Sequence, residues 1–379
     1  MESSYATSFL PMLQGLRAIA AWGILLTHVA FQVGIDPATT PGAILARCDF
    51  FVAVFFALSA YLLWRRHRND SRFGHYYLKR AVRILPAYLC LCVVVLLFMG
   101  ASVTQIIATL TLTQIYVPHG LVAGLTHLWS LCVEVAFYLI LPLILLLPKR
   151  WRILTVLALV AGGLAWPWLW EGAAWAPVNL QLFPLSWALW FAVGIVCAEA
   201  EPFLQRLPLA RSPLLRPGAW ALAIVVLWAA GQEWFSPLGL EHPSAGEFNR
   251  RILAGALFAF LIIVPYLIGP PSRLLSSELF QACGRWSYGF FLWHVAILEV
   301  IFPVLGIPYF SGSWTDFLII LVASTAVSLV VAAASYILVE EPARRVLMEV
   351  FSNRSRFTLW GRGQTKSERN KTAETLSVL

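Results

Sequence analysis

Long apolar stretches, each broken by a short polar segment, set the rhythm of this chain. They fall at about 12–33, 50–64, 84–99, 128–147, 153–169, 182–198, 218–235, 252–269, 287–306 and 315–339. A helix needs about 17–25 apolar residues to cross a bilayer, and most of the runs reach that length. The pattern predicts an all-α integral membrane protein, a bundle of about ten transmembrane helices. Residues 102–117 are also apolar but studded with Thr and Gln. They predict an interfacial or re-entrant piece, with an eleventh span as the alternative. Residues 353–379 are polar and basic without an apolar period, which predicts a disordered tail. The membrane domain is accordingly placed at 1–345 and the tail at 346–379.

Composition agrees: 60% of the 379 residues are hydrophobic and 12% are charged. A soluble domain has nearer a quarter of its residues charged. The formal net charge of +8 could suggest nucleic acid, but in so apolar a chain it points to topology instead. With the N-terminus inside, 23 of the 27 Lys and Arg fall in segments on the cytoplasmic side. The opposite loops carry only Arg47, Arg250 and Arg251, and Arg17 lies within the first run. This asymmetry predicts that both chain ends are cytoplasmic, and no nucleic-acid partner is expected. Trp166, Trp168, Trp170 and Trp175 cluster on the outer side, as in an interfacial aromatic belt. Cys48, Cys90, Cys92, Cys132, Cys197 and Cys283 show no metal-ligand or disulfide spacing; no metal site is expected.

Candidate chemistry starts in the first run. Arg17 and His28 are eleven residues apart, which at about 100° per residue puts them on one helix face, about 16 Å apart along the axis. Charged residues inside spans are rare and usually face the bundle interior or a wet cavity. Alone, the pair fits a snorkelling arginine and a hydrogen-bonded histidine equally well. The fourth run opens with His127, Trp129, Ser130 and Glu134; His127, Ser130, Glu134 and Tyr138 share a face that starts at the outer surface. A histidine can take a proton from a hydroxyl while a carboxylate fixes its tautomer, so Glu134 is expected to orient His28.

On the inner side, Arg80 and Arg83 stand at i, i+3 before the third run, a spacing that aligns two guanidinium groups for phosphate oxygens. Together with Arg17 they suit a polyphosphate such as the nucleotide part of coenzyme A. In the ninth run Ser287 and His294 share a face, with Tyr288 near the inner mouth and His294 near mid-membrane. Glu340-Glu341-Pro342-Ala343-Arg344-Arg345 reads as a helix stop with a local ion-pair cluster.

Six motifs in order carry a resemblance across nearly the whole membrane portion: LQGLRAIAAWGILLTH, FFALSAYLL, RAVRILPAY, HLWSLCVEVAFYLILPL, GRWSYGFFLWH and VEEPARR. Together they resemble the acyltransferase-3 family of membrane acyltransferases. The resemblance implies an acyl-coenzyme A donor, commonly acetyl, and a hydroxyl acceptor on a sugar, glycolipid or secondary metabolite. It implies roles for Arg17, His28, Arg80, Arg83, Trp129, Ser130, Glu134, Tyr288 and His294. There are departures. Where family members often read Gly-Val-Asp-Leu-Phe-Phe, residues 51–56 lack the glycine and the aspartate, and Ala60 replaces a usual glycine. The chain also ends soon after the last run, without the hydrolase-like domain fused to many family acetylases. That favours a lipid-linked sugar, a mycolate-type glycolipid or a small secreted metabolite as acceptor.

The expected function is thus an acyl-coenzyme A-dependent O-acyltransferase of the cytoplasmic membrane. His28 and Glu134 are the expected catalytic pair. Arg17, Arg80, Arg83 and Tyr288 are expected to hold the acyl-coenzyme A co-substrate. Ser130, Trp129, His127 and His294 are expected to line the acceptor cavity. A proton-coupled transporter or flippase using the same intramembrane residues is the rival.

Overall fold

The computed structural model describes residues 11–69, 73, 75–172, 176–235 and 243–349. Trp175 and the tail beyond 349 lie outside the described residues. Every element among these residues is helical: α1 (Pro11–Val33), α2 (Thr40–Ala46), α3 (Phe51–His67), α4 (Tyr76–Met99), α5 (Val103–Leu110), α6 (Trp129–Leu146), α7 (Lys149–Leu169), α8 (Ala188–Leu204), α9 (Leu215–Ala230), α10 (Ala245–Ile268), α11 (Glu278–Leu305) and α12 (Trp314–Ser335), with short 3₁₀ turns between some of them. Nine helical segments among the described residues are long and apolar enough to cross a membrane, and α9 is a shorter apolar helix. Each of the ten apolar runs therefore has its helix, and the protein is an all-α, multi-pass integral membrane bundle. The end of the bundle that carries Arg65, Arg66, Lys79 and Arg80 is called the basic end below.

One element decides between the alternatives of the sequence reading and one departs from it. Residues 102–117 form no span. Ser102 caps α5, accepting from the Gln105 amide while Gln105 reaches back to the Ser102 amide. The eight residues of α5 extend about 12 Å, far short of the roughly 30 Å hydrocarbon core. At the other end of the chain, Glu340–Arg345 is not a helix stop. A π-turn over Tyr336–Glu340 extends α12, and helix continues to Glu349. The π-turn interrupts the regular ladder just ahead of Pro342, where the missing N–H is tolerated.

Close helix approach sets the positions of the site. Gly284 of α11 lies against α1: a Cβ there would sit 2.3 Å from the Gln14 carbonyl. The Gln281 side chain donates to the Pro11 carbonyl at 2.7 Å, and Gln14 donates to the Gln281 carbonyl at 3.1 Å. These contacts lock the starts of α1 and α11 together, so the two helices climb from the basic end side by side. Small residues at such contacts let backbones approach where lipid supplies no hydrophobic drive.

The α3–α8 contact is tighter still. A Cβ on Gly194 would meet the Ala57 carbonyl at 2.0 Å. At the basic end the pair is tied by Arg65 to Glu201 (3.2 Å), Tyr61 to Glu201 (2.9 Å), Trp64 to Glu199 (2.6 Å) and Arg68 to Glu199 (3.3 Å). Replacing Gly194 with Ala is expected to destabilise the bundle by about 1–3 kcal/mol, read as a lower thermal unfolding midpoint. Gly218→Ala on α9, where an added Cβ meets nothing within 4 Å, is expected to leave the midpoint unchanged.

The opposite end uses its few cations structurally. Arg47 is buried, with Nε donating to the Ala230 carbonyl at 2.7 Å. Arg251 pairs with Asp49, and the Arg250 guanidinium lies over the Trp234 ring, 4.5 Å from its centroid.

Candidate active site

The site is a stack of three compartments along α1, α6 and α11. At the basic end a cavity of about 680 Å³ is lined by Arg17, Arg80, Arg83, Tyr138 and Tyr288, with Ser59, Arg65, Arg66, Arg285, Glu340 and Arg344 around its wall. Above it lies a chamber of about 30 Å³ bounded by Arg17, Phe55, Ser130, Glu134, Tyr288 and Phe291. Arg17 and Tyr288 border both spaces and so form their common threshold. Beyond Phe291 stand three histidines. The Phe291 ring lies 5.2 Å from that of His127 and 5.8 Å from that of His294.

Helix geometry produces this layering. Arg17 and His28 on α1, Tyr288 and His294 on α11, and Glu134 and His127 on and just before α6 are separated by 11, 6 and 7 residues. At 1.5 Å per residue these spacings give about 16, 9 and 10 Å of rise. Each helix thereby contributes one polar group to the threshold level and one imidazole to the level above.

Among the described residues, Arg17, Arg80 and Arg83 have no ion-pair partner. The Arg17 guanidinium lies over the Phe55 ring, 5.6 Å from its centroid, and that of Arg80 over Tyr138 at 5.9 Å. The Nε atoms of Arg17 and Arg80 are buried without a hydrogen-bond partner. By contrast Arg65, Arg68, Arg251, Arg344 and Arg345 each meet a carboxylate. Unpaired charges inside a bundle are rare and costly; Arg17 and Arg80 are partly buried, whereas Arg83 is exposed at the cavity rim. Tyr288 borders the basic cavity, its hydroxyl donating to the Ile84 carbonyl at 2.9 Å.

Glu134 does not orient His28. Its Oε1 accepts from the Ser59 hydroxyl and the Tyr138 hydroxyl, both at 2.5 Å. Two turns of helix separate it from the histidine level, so a shared helix face had put it at the right azimuth and the wrong depth. Trp129 is a second correction. It does not line the chambers but packs on Trp187, with ring centroids 4.6 Å apart. Ser130 borders the inner chamber, its hydroxyl donating to the His127 carbonyl at 3.1 Å.

The histidines form a tight group. Ring centroids are 5.1 Å apart for His28–His294, 4.8 Å for His127–His294 and 6.4 Å for His28–His127. His127 Nε2 lies 3.1 Å from the Leu292 carbonyl and His294 Nδ1 lies 2.7 Å from the Phe291 carbonyl. Among the described residues, no group of three or more His, Cys, Asp or Glu is placed to hold a metal ion.

Some members of the site were not singled out from sequence. Ser59 is the one serine in an apolar helix that otherwise reads as core. Glu340 borders the cavity with Oε1 buried and unpartnered; its signal was an acidic pair at the end of an apolar run. Phe55 and Phe291, with ring centroids 6.2 Å apart, separate the chamber from the histidines, and nothing in an aromatic pair marks it as a partition.

A basic cavity, a narrow threshold and a cluster of three imidazoles thus lie inside a multi-pass membrane bundle. The family model described as an acyltransferase domain matches residues 11–333, and the chain belongs to that family, the acyltransferase-3 family. It is 23% identical to the peptidoglycan O-acetyltransferase OatA of Listeria monocytogenes, over 90% of this chain and 57% of that protein. It is 24% identical to the O-acetyltransferase OatA of Staphylococcus aureus strain NCTC 8325, over 93% of this chain and 60% of that one. The acyltransferase MdmB of Streptomyces mycarofaciens is 25% identical over 89% of this chain and 92% of its own length. The chain thus spans about three fifths of the OatA proteins. No solved structure matches.

Proposed function

We propose that this protein is an O-acyltransferase of the cytoplasmic membrane that moves a short acyl group, acetyl in the first instance, from acyl-coenzyme A to a hydroxyl on a cell-envelope sugar or glycolipid. The observation that carries the reading is the set of three arginines, Arg17, Arg80 and Arg83, bordering one cavity with no carboxylate among the described residues in an ion pair with any of them. Seven arginines and two glutamates line that cavity in all, so it suits a polyanion. The phosphates of acyl-coenzyme A supply the missing charge, and its flexible arm carries the thioester past Arg17 and Tyr288 into the inner chamber. The basic end is then the cytoplasmic face, in keeping with the excess of Lys and Arg there.

The acceptor arrives from the opposite end, where His28 stands. A neutral imidazole takes the hydroxyl proton as the oxygen attacks the thioester carbonyl. The C–O bond forms, the C–S bond breaks, and the imidazolium returns the proton to the departing sulfur. Glu134, held by the Ser59 and Tyr138 hydroxyls, borders the same inner chamber as Arg17. The sugar acceptor draws support from the OatA relatives, which are O-acetyltransferases and in the Listeria case act on peptidoglycan.

Incubation of the purified protein with labelled acetyl-coenzyme A and envelope glycolipid extract is expected to give labelled product with no ion gradient. Arg80→Gln and Arg83→Gln are each expected to raise KM for acetyl-coenzyme A by about 10- to 100-fold, from the 1.5–3 kcal/mol of a charged hydrogen bond, with kcat little changed. Unchanged KM in both variants would remove the arginines from the donor site. Gradient-dependent solute flux without acylated product would overturn the enzyme reading in favour of a transporter.

A further inference from the structure

The backbone fixes the tautomers of two of the three clustered histidines. A carbonyl oxygen only accepts hydrogen bonds, so the ring nitrogen facing it carries the hydrogen. His294 is therefore Nδ1–H, bonded to the Phe291 carbonyl at 2.7 Å, with a bare lone pair on Nε2. By the same reasoning His127 is Nε2–H, bonded to the Leu292 carbonyl at 3.1 Å, with a bare Nδ1. Both bare nitrogens are buried and have no hydrogen-bond partner. Leaving a buried acceptor unmatched is costly, and two of them at one level call for a donor.

His28 is the donor at hand. Its ring is nearer to His294 (5.1 Å) than to His127 (6.4 Å). An N–H···N bond of about 3 Å plus roughly 1 Å from each ring centre to its nitrogen gives a ring separation near 5 Å. The observed spacing is the one such a bond requires, and rotation of the His28 ring is enough to aim its N–H. The carboxylate expected in this role, Glu134, is spent on Ser59 and Tyr138.

We infer that His294 is the positioning residue for His28: its bare Nε2 accepts the His28 N–H and leaves the other His28 nitrogen unprotonated toward the acceptor hydroxyl. This rests on the reading of His28 as the base. During transfer the hydroxyl proton passes to the bare His28 nitrogen, and the resulting imidazolium keeps its bond to His294 Nε2, now charge-assisted. The same proton then leaves for the sulfur. His294 keeps its own hydrogen on Nδ1 throughout, so it orients and stabilises without changing protonation state.

The test compares His294→Leu with His294→Gln in the full chain, measuring kcat, donor KM and the thermal stabilisation that acetyl-coenzyme A produces. Leucine removes the acceptor, whereas the glutamine amide oxygen reaches about as far as Nε2. His294→Leu is expected to lose about 100-fold in kcat with donor KM within about twofold, and His294→Gln to recover to within about tenfold of the parent. The inference is overturned if His294→Leu keeps its kcat, or if both variants lose it equally. Loss of donor-induced stabilisation in both would show His294 to be purely structural and overturns it as well. A fully active His28→Ala protein would instead sink the reading on which it rests. An inactive His28→Ala beside a fully active His294→Leu overturns this inference alone.

Discussion

Replacement of His28 by alanine is expected to reduce acyl transfer by about 10²- to 10⁴-fold, the range that a positioned general base contributes, while the protein still binds donor. The two parts of that expectation have separate physical origins. His28 lies about 16 Å of helix rise above Arg17, beyond the Phe55–Phe291 partition, and borders neither the basic cavity nor the inner chamber. Its loss leaves the arginines in place, so the thermal stabilisation given by acetyl-coenzyme A should match that of the parent protein. Its ring packs against His294 and His127, and truncation removes at most its single inferred bond to His294, leaving the Gln14 and Gln281 bonds that tie α1 to α11 in place. A measurement of product formed per minute beside a donor-dependent thermal shift reads both parts. Transfer at the parent rate would end the assignment of His28 as base. The same variant separates direct transfer from an acyl-histidine relay: label retained on parent protein without acceptor, and absent from His28→Ala, indicates the relay.

The sequence made some layers of this architecture legible and hid others, for physical reasons. Apolar run length depends only on the bilayer, so all ten helices were visible, although two of them looked short. Both in fact extend through charged residues: α4 begins at Tyr76 and includes Lys79, Arg80 and Arg83, and α3 runs on through Arg65 and Arg66. Long basic side chains reach the interface from within a helix, so charge ends an apolar run without ending the helix. The pairing of Arg17 with His28 was readable because both lie on one helix, where residue spacing fixes azimuth and rise together. Glu134 was misassigned because its depth relative to His28 depends on how α1 and α6 slide past one another. That offset is set through other helices, by contacts such as the Ser59–Glu134 bond between α3 and α6 and the approach of His127 to the Leu292 carbonyl of α11, which no single helix reveals. The tautomers of His127 and His294 lay still further out of reach. They depend on which backbone carbonyl each ring meets, and for His127 that carbonyl, of Leu292, is 165 residues away.

Arg17→Met is expected to make the donor-free protein more stable and the enzyme nearly inactive. Arg17 holds a guanidinium deep in the bundle over the Phe55 ring, with Nε buried and unpartnered and, among the described residues, no ion pair. Replacing a buried charge with an apolar side chain of similar length removes a desolvation penalty, and such exchanges are often stabilising by about 1–4 kcal/mol. Glu134 does not lose its support in the exchange, because Ser59 and Tyr138 both donate to it. The thermal midpoint without donor should therefore rise by several degrees. The functional consequence runs the other way. A donor present at about 100 times its Kd stabilises the parent protein by about 2.7 kcal/mol, and Arg17→Met should lose most of that increment along with acyl transfer. Arg17→Lys keeps the charge but not the planar fork that matches phosphate oxygens, so it should fall between the two. A variant that is less stable without donor and equally stabilised by it would show Arg17 to be a structural strut. The predicted crossing, more stable alone and less stabilised by donor, arises only if the arginine is held in reserve for an anion that comes from outside the protein.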